Sequence, residues 1–164
     1  MGLGYKRSTG FAREAMKLRI YLDTSIFSAY YDERSPDRQA QTVEFWKHVT
    51  AYEASTSELA RDELERTPSA DRRRQLVKLL DGLTLHRITS DMRKLAEQYV
   101  KGGVFAPLML NDAVHVAAAV LTRQDILLSW NFRHLVNRIR RAKVNQVNIS
   151  LGIPTIEILA PPEI

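Results

Sequence analysis

Four polar residues occupy positions where a solvated charge is not the natural explanation. The first is Asp23 in LRIYLDTSIF, where an apolar, β-prone run from Leu18 to Leu22 stops on a carboxylate followed by two hydroxyl side chains, Thr24 and Ser25. In open α/β sheets ligands sit at the carboxyl ends of strands, where such a carboxylate faces a metal or a substrate. The same residues also suit a helix start, because Asp, Thr and Ser accept hydrogen bonds from free N–H groups there. Asp23 taken singly fits both descriptions.

The second is Glu63 in SELARDELER. Leu59, Ala60 and Leu64 define the apolar face of a helix, and Glu63 lies four positions after Leu59 and three after Ala60, so it points inward. Glu58, Arg61, Asp62 and Glu65 fall on the other side and read as a solvated face. An ionised carboxylate turned toward a core is costly unless it is paired or coordinates a metal. Pairing with an arginine remains as open as metal binding.

The third is Asp112 in LNDAVHVAAAVL, at the first turn of a helix that is apolar on nearly every side from Ala113 to Leu121, with Asn111 expected as its cap. A negative charge there also interacts favourably with the helix dipole. His115, the one polar residue inside that helix, reads as a core or boundary histidine, since no second histidine lies at metal-ligand spacing. The fourth is Asn131 in ILLSWNFRHL, where the strand Ile126 to Ser129 ends on Ser129 and Asn131 and leads into a helix that Asn131 could cap. Asp125 precedes that strand, belongs at the opposite end of the sheet, and is set aside.

The elements that must position these residues alternate. Apolar, β-branched runs recur at Arg19 to Leu22, Tyr52 to Ser55, Leu83 to Ile88, Ile126 to Ser129 and Thr155 to Leu159. Helical spacing connects them. Gln39 to Thr50 carries Val43, Trp46 and Val49, and Thr67 with Pro68 is expected to cap and open a helix through Leu80. Ser90 opens another that reaches Val100 and stops at Gly102 and Gly103. Alternation of this kind predicts a mostly parallel sheet covered on both faces. Residues 1–17 stand outside it: they are polar and read as a poorly ordered N-terminal extension, with one folded domain over 18–164.

At 164 residues the chain suits one domain with a substantial core. It has no cysteine, so disulfides and thiolate metal sites are excluded and any metal must bind through oxygen or histidine. No apolar stretch approaches the roughly 20 residues needed to span a bilayer, and the first residues lack a secretory signal's apolar centre. A cytoplasmic protein without membrane partners is the default. The formal net charge of +5 and sequence pI near 9.6 favour a polyanionic partner. Arg72 to Arg74 reads as a solvated face, whereas the basic stretch Arg133 to Lys143 follows a strand-end motif.

With these segments in place, the chain from Leu18 to Pro162 resembles the PIN-domain ribonucleases, and especially the toxins of VapBC-type toxin–antitoxin pairs. The carriers are YLDTS after the first strand, Glu63 in SELARDEL, Asp112 in NDAVHVAAA, LLSWNFRHL, and the ending GIPTIEILAPPEI. The resemblance implies a three-layer α/β/α fold with a five-stranded parallel sheet. It also implies that Asp23, Glu63 and Asp112 are metal-site acids, that Ser25 and Ser129 are supporting polar residues, and that Asn131 stands where many members have a fourth Asp. Clustered carboxylates repel unless a cation holds them ionised, and oxygen ligands suit Mg²⁺ or Mn²⁺. Such an ion could polarise a scissile phosphoryl group and activate water for in-line attack on RNA, leaving a 5′-phosphate and a 3′-hydroxyl. A small antitoxin protein and a homodimer are the further partners implied.

Two other readings compete. For phosphoryl transfer of other kinds, Asp23 lacks a second Asp two positions on, and neither a G-x-x-x-x-G-K-[ST] loop nor a G-x-G-x-x-G turn is present. A PIN-like RNA-binding module that has lost catalysis is made conceivable by Asn131, while the inward Glu63 argues for retained chemistry.

Overall fold

The computed structural model describes residues 16–164. Five strands, β1 (Arg19–Leu22), β2 (Glu53–Ser57), β3 (Thr84–His86), β4 (Ile126–Leu128) and β5 (Glu157–Leu159), form one sheet in the order β3-β2-β1-β4-β5, and every pairing is parallel. The expected α/β architecture is therefore present, with the sheet wholly rather than mostly parallel. In register, Tyr21 of β1 lies beside Ser55 of β2 and Leu127 of β4. Successive side chains on a strand point to opposite faces, and Ile20, Tyr21, Leu22, Leu127 and Leu128 are all fully buried. Both faces of the central strands are thus covered, as a parallel sheet requires.

The cover is helical. In chain order the helices are α1 (Thr24–Ser28), α2 (Pro36–Lys47), α3 (Glu58–Glu65), α4 (Ala70–Lys78), α5 (Ser90–Lys101), α6 (Leu110–Leu121) and α7 (Arg138–Ser150). Helix α6 is buried from Ala113 to Val120, which accounts for its apolar composition all round. Helix α5 ends at Gly102, and Gly103 then takes φ +72°, a conformation open to glycine at little cost.

Element boundaries depart from the sequence expectations for local reasons. The second strand runs to Ser57 rather than Ser55, the third is shortened to Thr84–His86, and the fifth starts at Glu157. Helix α2 begins at Pro36 rather than Gln39, because proline's fixed φ suits the first helical position. Thr67 does not cap α4: its N–H still bonds to the Leu64 carbonyl at 3.1 Å, closing α3. The cap falls to Ser69, whose side chain accepts from the Arg72 N–H at 3.3 Å. Nor does Asn111 cap α6, since a 3-10 turn at Pro107–Met109 runs straight into Leu110 and leaves Asn111 inside the first turn. Glu58, read as solvated, accepts from the Ile88 N–H at 2.8 Å and ties α3 to the chain after β3.

The expected N-terminal extension, residues 1–17, lies outside the described residues except for Met16 and Lys17. No helix among the described residues is long and apolar enough to cross a membrane.

Candidate functional site

The sheet order creates the position for a site. From β1 the chain builds outward to β2 and β3 on one side, then returns to place β4 and β5 on the other. Neighbouring strands β1 and β4 therefore lead in opposite directions at their carboxyl ends, and a crevice opens there. Asp23 closes β1 and Ser129 follows β4, with the Asp23 N–H bonded to the Leu128 carbonyl at 3.0 Å.

Asp23 stands at the N-cap position of α1, yet its side chain makes no capping hydrogen bond. Its Oδ2 instead accepts from the Ser25 hydroxyl at 2.8 Å and the Ser129 hydroxyl at 2.6 Å. Ser25 Oγ in turn accepts from the Trp130 N–H, and Ser129 Oγ from the Asn131 N–H, each at 2.9 Å. Two donors on one oxygen fix the carboxylate plane. Oδ1 then lies 3.8 Å from His115 Nε2, too far for a hydrogen bond.

Glu63 projects from α3 with its side chain 29% exposed, and its Oε1 lies 2.8 Å from His115 Nε2. His115 is 1% exposed and its Nδ1 lies 2.7 Å from the Tyr21 hydroxyl, which is 2.6 Å from Ser57 Oγ. Only one arrangement of a neutral imidazole gives every proton an acceptor: Ser57 donates to Tyr21, Tyr21 donates to Nδ1, and Nε2–H donates to Glu63. Burial pushes the Tyr21 phenol well above its ordinary range, so it stays protonated and available as that donor. Burial alone would lower the His115 pKa, but the Glu63 hydrogen bond and the charges of Asp23, Glu63 and Asp112 outweigh it and the net direction is up.

Asp112 stands in the first turn of α6, and its Oδ2 lies 2.9 Å from His134 Nδ1. Burial raises its pKa and the Asp23 charge raises it further, against the opposing His134 bond. Asn131 does not open a helix. Its Oδ1 accepts from the His134 N–H at 2.9 Å and its carbonyl from Leu135 and Val136, which closes a series of turns. Buried Leu135 and Val136 pin that turn, and the regular helix waits for Asn137, the side-chain cap of α7. Asn131→Ala is expected to cost about 1 kcal/mol through loss of the bond from the His134 N–H, a fall of roughly 2–4 °C in melting temperature. Asn131→Asp should keep that bond, because a carboxylate oxygen accepts as an amide oxygen does, and should melt near wild type; melting curves of the three proteins measure both.

Asp23, Ser25, Glu63, Asp112 and Asn131 line one open cleft of about 540 Å³, together with Arg38, Trp130, Phe132 and Arg133. Ser129 lies beneath its floor, fully buried. Asp125 is at the far end of the sheet, where its Oδ2 accepts from the Arg19 N–H at 2.8 Å. Tyr21, Ser57, Arg38 and His134 were not singled out by sequence, and His115 gave no sign there of its carboxylate neighbours. Packing of β1, β2, α3 and α6 joins Tyr21, Ser57, Glu63 and His115, while α2 and the turn after β4 bring in Arg38 and His134.

The donor chemistry suits a hard divalent ion: carboxylate oxygens in an open cleft, with Asp112 destabilised as an anion by burial first and by the Asp23 charge in addition. Among the described residues, no group of three or more acidic, histidine or cysteine side chains is gathered closely enough to hold an ion by itself. A hard ion such as Mg²⁺ keeps several waters and needs only one or two carboxylates from a protein.

The PIN domain family profile matches residues 20–135. Among solved structures, VapBC2 from Rickettsia felis bound to a DNA fragment from its promoter aligns with a TM-score of 0.52, at 14% identity over 86% of this chain and 98% of that one. DNA-bound VapBC from Salmonella typhimurium aligns with a TM-score of 0.52, at 18% identity over 88% and 98%. VapC20 from Mycobacterium tuberculosis, described as a sarcin-ricin loop cleaving toxin, aligns with a TM-score of 0.51, at 16% identity over 70% and 92%. At these identities the likeness concerns the fold. No curated protein matches the sequence.

Proposed function

The chain belongs to the PIN domain family, a family of nucleases that generally work with divalent metal ions, and on that premise we propose that it is a Mg²⁺- or Mn²⁺-dependent endoribonuclease, the toxin of a type II toxin–antitoxin pair. The observation that carries the reading is the cleft at the carboxyl ends of β1 and β4, lined by Asp23, Glu63 and Asp112 and by Arg38 and Arg133. Acids and arginines facing one cleft match the two needs of phosphodiester hydrolysis, a cation site and a grip on polyanionic substrate.

In this reading Asp23 and Asp112 hold the ion, with Glu63 contributing directly or through water. When bound, the ion polarises the scissile phosphoryl group and lowers the pKa of an attacking water. The chain's own groups set the stage for that chemistry. Ser25 and Ser129 hold the Asp23 carboxylate in one plane. His134 holds Asp112, and the Asn131 turn holds the His134 backbone. His115 braces Glu63 from the core side. The proposed products are a 5′-phosphate and a 3′-hydroxyl. The VapBC neighbours suggest a small antitoxin as protein partner, the family suggests a homodimer, and the absence of a membrane-spanning helix among the described residues agrees with action in the cytoplasm.

The test is cleavage of single-stranded RNA by purified protein in Mg²⁺ or Mn²⁺, expected to stop when EDTA is added and to resume when the ion is restored. Cleavage that survives EDTA sinks the metal role. RNA binding without cleavage under any divalent ion would favour the rival reading, a PIN-like RNA-binding module.

A further inference from the structure

Phe132 is half-exposed, at 46%, on the wall of the cleft that holds the candidate acids. A single exposed apolar side chain carries no meaning by itself. What sets Phe132 apart is how firmly it is held and what stands beside it. Its ring packs edge-to-face against Trp130, with centroids 6.1 Å apart and planes at 63°. Trp130 is buried and cannot yield, since its Nε1–H donates to Thr42 Oγ1 at 2.8 Å and its backbone N–H donates to Ser25 Oγ at 2.9 Å. The Phe132 backbone is tied at both ends: its N–H donates to the Trp130 carbonyl at 2.9 Å, and its carbonyl accepts from Asn137 Nδ2 at 3.2 Å. The exposed ring is therefore preorganised, with little side-chain freedom left to lose on binding.

Two guanidinium groups share that wall. Arg38 lies over the Trp130 ring at 5.3 Å, and Arg133 follows Phe132 in the chain. Both are exposed, and among the described residues neither forms an ion pair with a carboxylate. A fixed aromatic face flanked by free guanidiniums is what an unpaired nucleotide needs, a surface for the base and cations for the phosphates. A base inside a duplex is already stacked on both sides and cannot use that face.

We propose that Phe132 is the stacking platform for an unpaired base beside the cleft acids, with Arg38 and Arg133 taking the flanking phosphates, so that the site selects single-stranded over duplex RNA. The proposal rests on the ribonuclease reading for the identity of the nucleic acid. Its test is a binding measurement that needs no cleavage, so the two can fail separately.

The full chain in EDTA at low salt is titrated against a labelled single-stranded oligoribonucleotide, and then against a set in which each nucleotide in turn is abasic. The wild type should lose about tenfold in affinity at one abasic position, the size of a single stacking contact. Phe132→Ala should bind intact RNA about tenfold more weakly and lose nothing further at that position, while Phe132→Trp should restore both the affinity and the sensitivity. Arg133→Gln should weaken every RNA in the set alike and reduce the salt slope by about one. Equal binding of intact RNA by wild type and Phe132→Ala overturns the proposal, as does a loss that adds in full to the abasic loss. A change of oligomeric state in Phe132→Ala overturns it too, because the ring is then a protein contact. Abasic sensitivity lost with Phe132, in a protein that never cleaves RNA, leaves the stacking assignment standing and removes only the nuclease.

Discussion

Asp23→Asn is expected to lower the rate of metal-dependent RNA cleavage about 10³-fold at saturating Mg²⁺, the equivalent of some 4 kcal/mol of transition-state stabilisation. The geometry makes this more than the loss of one charge. Two hydroxyl donors, from Ser25 and Ser129, converge on Oδ2, so the amide oxygen of an asparagine must take that place. Its NH₂ group is then forced into the position of Oδ1, where the wild type offers an acceptor. A donor cannot ligate a cation, and it would also face the Nε2–H of His115, now 3.8 Å from Oδ1. The same change removes one of the influences that raise the Asp112 pKa. Asp112 should therefore titrate closer to its ordinary value in Asp23→Asn, as followed by NMR of the carboxyl carbon. A rate within threefold of wild type would show that Asp23 is there for the fold. The missing cap hydrogen bond at α1 already argues against that.

The second large effect is on stability. His115→Ala removes the acceptor of the Tyr21 hydroxyl and the donor to Glu63 Oε1, in a position that is 1% exposed. A buried group left without its partner costs about 1–3 kcal/mol, and the cavity left by the ring adds to it. A total of about 3 kcal/mol corresponds to a fall of roughly 6–12 °C in melting temperature for a chain of this size. His115→Gln should recover part of that loss, because an amide can still bridge a donor and an acceptor. Melting curves in EDTA separate the effect from any metal contribution. A shift of under 2 °C for His115→Ala would mean that the Ser57–Tyr21–His115–Glu63 chain does not hold the core together.

Several features of this molecule are determined by short-range pattern and could be read directly. The apolar runs that end at Leu22 and Leu128, joined by helical spacing, are enough for a parallel α/β sheet, because a strand buried on both faces must be apolar throughout. Helical periodicity places Glu63 next to Leu59, Ala60 and Leu64 and so turns it inward whatever lies opposite. The apolar girth of α6 makes Asp112 stand out at its start for the same reason.

Other features depend on which elements become neighbours, and no local pattern carries that. The pairing of β1 with β4 brings Ser129 onto Asp23 across 106 positions of chain, and only that pairing makes Asp23 a clamped acid rather than a helix cap. His115 looks like any core histidine along α6, since its meaning lies in Tyr21 of β1 and Glu63 of α3. Asn131 has the composition of a helix cap, but buried Leu135 and Val136 hold the following residues in turns and delay the helix to Asn137. Thr67 and Pro68 likewise have the composition of a helix start, and the last turn of α3 claims Thr67 first. Propensity and periodicity act over a few residues, at about 1 kcal/mol or less each. The packing of α6 against the sheet and its neighbours is worth far more in total, and it decides which polar groups face one another across the cleft.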